Sequence, residues 1–107
     1  MAYKVLLLPE AERDILDIHG YVAVSDGPAK AGALLDRLEA ACARLDAHPE
    51  RGNIPKELAD LGIREFREAH FKPYRIIYRI LGAEVAIYCV LDGRRDMQAL
   101  LQRRLLD

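Results

Sequence analysis

The stretch at residues 71–80, FKPYRIIYRI, constrains the fold more than any other part of the chain. Its apolar residues alternate with arginines, and side chains alternate across a strand at period two. The pattern predicts a strand with Tyr74, Ile76, Tyr78 and Ile80 on one face and Arg75, Ile77 and Arg79 on the other. A tight turn at Gly82 leads into a second strand-like run at 85–91. An antiparallel sheet with one face on a core and the other wet accounts for this alternation, the arginines then being solvated. Arg75 lies between Tyr74 and Tyr78, and the doublet Arg94–Arg95 follows downstream, which also fits a concave basic face.

The remaining segments supply what such a sheet needs to be covered. Residues 3–8 read as a short strand ended by Pro9, which cannot continue a ladder but suits the first turn of a helix. Glu10, Glu12 and Asp14 then complement the positive end of that helix, and Ala11, Ile15, Ile18 and Val22 form its apolar stripe. Ser25-Asp26-Gly27-Pro28 predicts a turn into a second helix over 29–48, where Ala31, Leu34, Leu35, Leu38, Ala41, Cys42 and Leu45 recur at three- and four-residue steps. A helical hairpin follows from the two stripes.

Residues 49–62 hold two prolines and two glycines and read as a loop with one short turn at 56–60. Residues 63–71 read as a strand with charge on both faces, as at a sheet edge or the rim of a binding site. After Asp92-Gly93, a final helix from about Asp96 presents Met97, Leu100, Leu101 and Leu105 on one side, with Arg103 and Arg104 near its negative end. The order predicts an α+β class, β-α-α-β-β-β-α, with the helical hairpin packed on a mostly antiparallel sheet. A chain of 107 residues, 51% hydrophobic and 31% charged, fits one domain spanning 1–107.

Composition excludes several classes of function. No apolar run reaches the roughly 18–20 residues that span a bilayer, and no charged leader with a small-residue cleavage site is present, so a cytoplasmic protein with no membrane partner is expected. Cys42 and Cys89 sit among apolar residues in no CxxC arrangement and read as buried free thiols. His19, His48 and His70 lack metal-ligand spacing and no Gly-rich phosphate loop occurs, so neither metal nor cofactor is implied. The net charge of −1 conceals an asymmetry: residues 1–63 carry 7 basic against 11 acidic groups, and residues 64–107 carry 9 against 6. The surplus in the second half is too small for a dedicated nucleic-acid binder and suits an acidic protein segment, or a polyanion met within a larger assembly.

Four segments in this order and spacing carry a resemblance: LLLPEAERDILDIHGYVA, DGPAKAGALLDRL, GIREFREAHFKPYRIIYRI and VLDGRRDMQALLQRRL. Together they cover essentially the whole chain, which resembles the RelE/ParE superfamily of toxins from bacterial type II toxin-antitoxin modules. The resemblance implies two different activities on one fold. RelE-like members cut messenger RNA in the ribosome, whereas ParE-like members poison DNA gyrase. Either implies a cognate antitoxin that wraps an acidic, hydrophobic segment across the toxin and folds on binding, in a toxin-antitoxin hetero-oligomer.

RNA cleavage through the 2′-hydroxyl needs a base, an acid and cations for the developing phosphorane charge. By the resemblance Arg75, Arg95 and Arg67 stand where RelE-like nucleases carry cations, and Glu57 in the loop is a conceivable base, although a solvated loop carboxylate is the preferred reading. The tyrosine, or histidine-tyrosine pair, of those nucleases has no counterpart in DMQALLQRRLLD: Leu101 stands nearest to it, and Ala69 replaces a lysine of the basic strand. His70 and Glu68 are assigned to opposite faces of their strand and give no acid–base pair. The acidic N-terminal hairpin, its two long helices and IHGYVA followed by the DGP helix start lean towards ParE. The expectation is a non-enzymatic gyrase poison with Arg75, Arg94, Arg95 and Asp96 as target contacts. A RelE-like messenger-RNA endonuclease and an inactive, antitoxin-binding relative are the alternatives. Asp96 has a structural reading beside the functional one, as a helix cap.

Overall fold

A computed structural model describes residues 2–106. Its sheet has four strands, β1 (Lys4–Leu7), β2 (Arg67–Phe71), β3 (Tyr74–Leu81) and β4 (Glu84–Asp92), in the spatial order β1-β4-β3-β2. The last three form the expected antiparallel meander, and β1 lies parallel to β4 with Lys4 opposite Glu84 and Leu7 opposite Ile87. The α+β class and the β-α-α-β-β-β-α order are as the sequence predicts.

The helical hairpin consists of α1 (Pro9–Asp26) and α2 (Pro28–Ala43). The expected four-residue turn contracts to Gly27, whose φ of 96° lies in the region that glycine occupies at least cost, while Ser25 stays helical and its hydroxyl donates to the Tyr21 carbonyl. The second helix stops at Ala43, short of the predicted 48. It tightens into a single 3₁₀ turn at Arg44–Asp46, the Tyr3 N–H takes the Asp46 carbonyl, and His48 adopts a left-handed conformation before Pro49.

The hairpin covers one face of the sheet. Ala11 and Ile15 of α1 and Leu38 and Cys42 of α2 pack on Ile76, Tyr78, Val85, Ile87 and Val90, with Tyr74 and Ile80 at the margin. All four residues predicted for that face of β3 are therefore there. Tyr78 is fully buried and its hydroxyl donates to the Pro49 carbonyl, which anchors the start of the long loop. Gly52 must be glycine for the same reason, because a Cβ there would collide with that hydroxyl.

The other face is not wet, contrary to the simple alternating reading. Ile77, Cys89 and Leu91 pack against Leu58 of the one-turn helix α3 (Lys56–Ala59), Phe66 of the following loop, and Met97, Leu100 and Leu101 of α4 (Met97–Leu101). Arg79, predicted to be solvated, lies with its guanidinium 5.7 Å from the centre of the Phe66 ring, which itself meets Tyr88 edge-on at 5.2 Å. A bulge makes this possible: the β3–β4 register shifts at Ile77/Tyr78, so Tyr88 and Cys89 both face this second core although they are adjacent in sequence. The strand predicted at 63–71 begins only at Arg67, since Ile63 closes the α3 turn and Phe66 drops beneath the sheet. Both cysteines are buried and free; burial pushes the Cys42 thiol up to about 11 and the Cys89 thiol up to about 12, which leaves them unreactive near neutral pH.

The chain's end is tied to its beginning. Helix α4 continues as a wider π turn over Gln102–Leu106, and Arg104 reaches α1, where it forms two hydrogen bonds with Asp14 at 2.9 and 3.0 Å and one with Glu10 at 3.1 Å. Asp14 also accepts the Val90 N–H, on the part of β4 that runs past the end of β1. Arg104 and Asp14, read from the sequence as complements to helix dipoles, are instead one cross-link between three elements. Among the described residues no helix is long and apolar enough to cross a membrane.

Candidate functional site

The residues singled out by sequence fall, Arg67 apart, into two groups, one around Arg75 and one at the end of β4. The first is centred on Arg75. Its Nε donates to Glu68 Oε1 at 2.5 Å, and its two terminal nitrogens donate to both Glu57 oxygens at 3.0 and 2.8 Å. Glu68 lies diagonally across the β2–β3 ladder, since it faces Ile77 two residues on from Arg75. Glu57 comes from α3, under the same face. The Arg75 side chain is 14% exposed, Glu57 22% and Glu68 3%. A guanidinium fork matched to one carboxylate and edge-on to another leaves little donor capacity for a ligand.

This geometry corrects two readings of the sequence. Glu57 is not a solvated loop carboxylate but half of a clasp, and the Arg75 hydrogen bonds hold its carboxyl below the usual range. Arg75 itself is raised above its ordinary value by the same contact. Glu68 and His70 stand two residues apart, hence on one face rather than opposite faces, and His70 Nε2 lies 3.8 Å from Glu68 Oε1. Asn53 joins them: its amide donates to Glu68 Oε2 at 2.7 Å, and its Oδ1 lies 3.3 Å from His70 Nε2. The pairing of Glu68 with Arg75 is what sequence reasoning missed. A carboxylate flanked by charge resembles an edge-strand residue, and the one available signal was its diagonal distance from Arg75.

Arg67, on the opposite face of β2, donates to the carbonyls of Glu50 and Gly52 at 3.1 and 2.8 Å and so closes the long loop. Arg67, Arg75 and Glu57 are thus each engaged within the fold, and Arg95 stands away from them.

The second group lies at the end of β4. Arg94 forms a bidentate pair with Asp92 at 2.9 and 2.6 Å while remaining 75% exposed, and that pair lowers the Asp92 carboxyl and raises Arg94. Arg95 is exposed and has no side-chain ion pair among the described residues. Asp96 caps α4 by accepting the Ala99 N–H at 3.1 Å, the structural role foreseen for it. Gly93 permits the junction, because a Cβ there would lie 2.7 Å from Arg75 Cδ.

Arg94 and Arg95 border an open cavity of about 380 Å³ with Asp17, Ile18 and Tyr21 of α1 and Tyr74 of β3. A second cavity of about 460 Å³ shares Tyr21, Tyr74 and Arg94 with the first and runs on between the hairpin and the β2–β3 turn, past Lys30, Arg37 and Lys72. Tyr21, 75% exposed, stands on the common wall. Among the described residues no cluster of His, Cys, Asp or Glu is arranged to hold a metal ion.

The comparisons with known proteins agree with this fold. The family described as the ParE toxin of the type II toxin-antitoxin system parDE matches residues 5–97. The chain belongs to the ParE toxin family. It is 35% identical over 83 residues to Toxin ParE3 of Caulobacter vibrioides, a match covering 78% of this chain and 79% of that one. A solved chromosomal ParDE toxin-antitoxin system from P. aeruginosa superposes with a TM-score of 0.71 at 20% identity, covering 83% of this chain and 94% of that one, and shows the shared fold. The RelBE2 toxin-antitoxin complex of Mycobacterium tuberculosis follows at a TM-score of 0.56 and 26% identity, covering 84% and 96%. This ParE-family chain is thus a toxin-type domain within the wider RelE/ParE superfamily.

Proposed function

We propose that this ParE-family toxin inhibits DNA gyrase in the bacterial cytoplasm, contacts it through Arg94 and Arg95, and is neutralised by a cognate antitoxin. The observation that carries the reading is the contrast between two arginine sites. Arg75, at the position where a RelE-like nuclease would need a free cation, is saturated by Glu57 and Glu68, and Glu57 is held as an ion-paired anion, unsuited to collecting a proton near neutral pH. Arg94 and Arg95 stand open at a strand-to-helix junction, and guanidinium forks suit protein carboxylates and DNA phosphates alike. Membership of the ParE family supports the same choice of target.

The deciding experiment is a supercoiling and cleavage assay with purified toxin and gyrase. Inhibition with accumulation of cleaved DNA is the expected result. No effect at concentrations well above that of gyrase would overturn the proposal and transfer the weight to ribosome-dependent cleavage or to an inactive antitoxin binder, which growth arrest on expression without antitoxin would separate.

A further inference from the structure

The two cavities that share Tyr21, Tyr74 and Arg94 form one trough across the end of the molecule. The chain has five tyrosines and two phenylalanines, and three of these rings, Tyr21, Phe71 and Tyr74, line this one feature. Tyr21 stands 75% exposed on the wall common to both cavities, so its ring is largely uncovered. Cations are interleaved with the rings: Lys30, Arg37, Lys72, Arg94 and Arg95 line the trough, against Asp17, Asp26 and Asp92. Asp92 is taken up by Arg94, whereas Lys30, Lys72 and Arg95 are exposed and take part in no ion pair among the described residues. The Arg37 guanidinium lies 5.8 Å from the centre of the Phe71 ring, which keeps its charge beside the trough. The excess of positive charge is therefore local, on a molecule whose formal net charge is −1.

An unpaired strand of nucleic acid carries both features that this lining complements. Its phosphates suit guanidinium forks and ammonium groups, and its bases stack on aromatic rings whatever their sequence. A duplex presents the phosphates alone, since its bases are stacked on one another, and a protein carboxylate would satisfy the cations and leave the Tyr21 ring bare. We infer that the trough binds single-stranded DNA, with phosphates on Lys72, Arg94 and Arg95 and a base on the ring of Tyr21. The inference rests on the reading that the target is gyrase, and names what this end of the toxin meets there: a DNA strand at the site of cleavage rather than gyrase's protein surface. A cut duplex offers such a strand, and holding it opposes the rejoining of the ends, so cleaved DNA accumulates.

The test titrates the full-length toxin into a labelled oligothymidylate and reads fluorescence anisotropy over a range of salt. Three phosphate contacts predict that log affinity falls against log salt with a slope of about −2. Lys72→Gln should flatten that slope by about 0.7, and Tyr21→Ala should weaken binding about fivefold or more with the slope unchanged. Both positions are exposed, and the melting midpoints should stay in place. Glu39→Lys adds a cation on α2 at a position that lines neither cavity, and should leave affinity and slope as they are. In the supercoiling and cleavage assay the Lys72 and Tyr21 variants should both lose potency. A toxin that inhibits gyrase but binds no oligothymidylate would overturn the inference, leave the gyrase reading intact and assign the arginines to an acidic protein surface. Equal or tighter binding of a duplex of the same length would overturn the stacked base, and tighter binding of the matching oligouridylate would overturn the assignment to DNA. Trough-dependent binding of the oligonucleotide with no effect on gyrase would remove the gyrase reading instead, and with it the assignment of the strand to a gyrase cleavage site.

Discussion

Arg75 packs against Gly93 and Arg94 follows it in sequence, and each guanidinium binds acidic side chains, yet their surroundings differ. Arg75 faces two acids in a space almost closed to water, with Glu68 at 3% exposure. Arg94 faces one acid at the surface. Burial of Glu68 makes the first interaction a structural commitment, since removing Arg75 strands that carboxylate where water barely reaches it. Exposure makes the second exchangeable, because a partner's carboxylate or phosphate can replace Asp92 at little cost. Residue type alone does not separate a buried clasp from an exposed ion pair; the number of acids within reach and their access to water do.

The largest test of this contrast is Arg75→Ala, which leaves Glu57 and Glu68 without their cation. It should destabilise the fold by about 3–5 kcal/mol in urea or thermal melts. A loss under 1 kcal/mol would mean that water already reaches the clasp. Gly93→Ala tests the boundary between the two sites. Its new Cβ meets Arg75 Cγ and Cδ and the Pro73 carbonyl, so a cost of about 1–3 kcal/mol is expected, in the range of core overpacking.

Acid titration reads the clasp more gently. Glu57 is held below its ordinary value of about 4.3, so the folded chain binds that proton more weakly than the unfolded chain. Its contribution is fully present above the unfolded value and is lost as pH falls through the lowered folded one. Glu57→Gln should flatten the acid limb of the stability curve below about pH 4.5. An identical limb in the variant would show that other carboxylates carry it. The smallest effect on stability belongs to Arg94→Ala combined with Arg95→Ala, which should leave the melting midpoint in place while reducing gyrase inhibition about tenfold or more. Loss of folding would reveal a structural pair where we place a contact surface.

The architecture was legible because its largest parts repeat. Ile76 and Tyr78 alternate, Ala31, Leu38 and Cys42 recur at helical steps, and each pattern names its own buried face. The second core was legible only in Met97, Leu100 and Leu101 of the last helix, because its other parts come from pieces too short to show a period: Leu58 on a four-residue helix and Phe66 in a loop. The bulge at Tyr88 hid it further by placing two consecutive residues on one side. At the candidate site, the exposure of Arg94 and Arg95 after a glycine was readable from local sequence. The clasp was not, since Glu57, Glu68 and Arg75 are brought together only by the sheet and the loop below it. Arg104 and Asp14, 90 residues apart, illustrate the same limit.

The parallel pairing of β1 with β4 has a consequence for the chain's synthesis. Lys4–Leu7 is synthesised well before its ladder partner Glu84–Ile87, with both hairpin helices and two strands between them. At elongation rates of roughly 5–20 residues per second, the hairpin helices wait several seconds or more with their apolar stripes uncovered. A nascent chain stopped before Glu84 lacks Val85, Ile87 and Val90 of the face that covers them, and one stopped before Arg104 lacks the link to Asp14. The folded domain therefore forms late and all at once, after β4 and Arg104 have been translated.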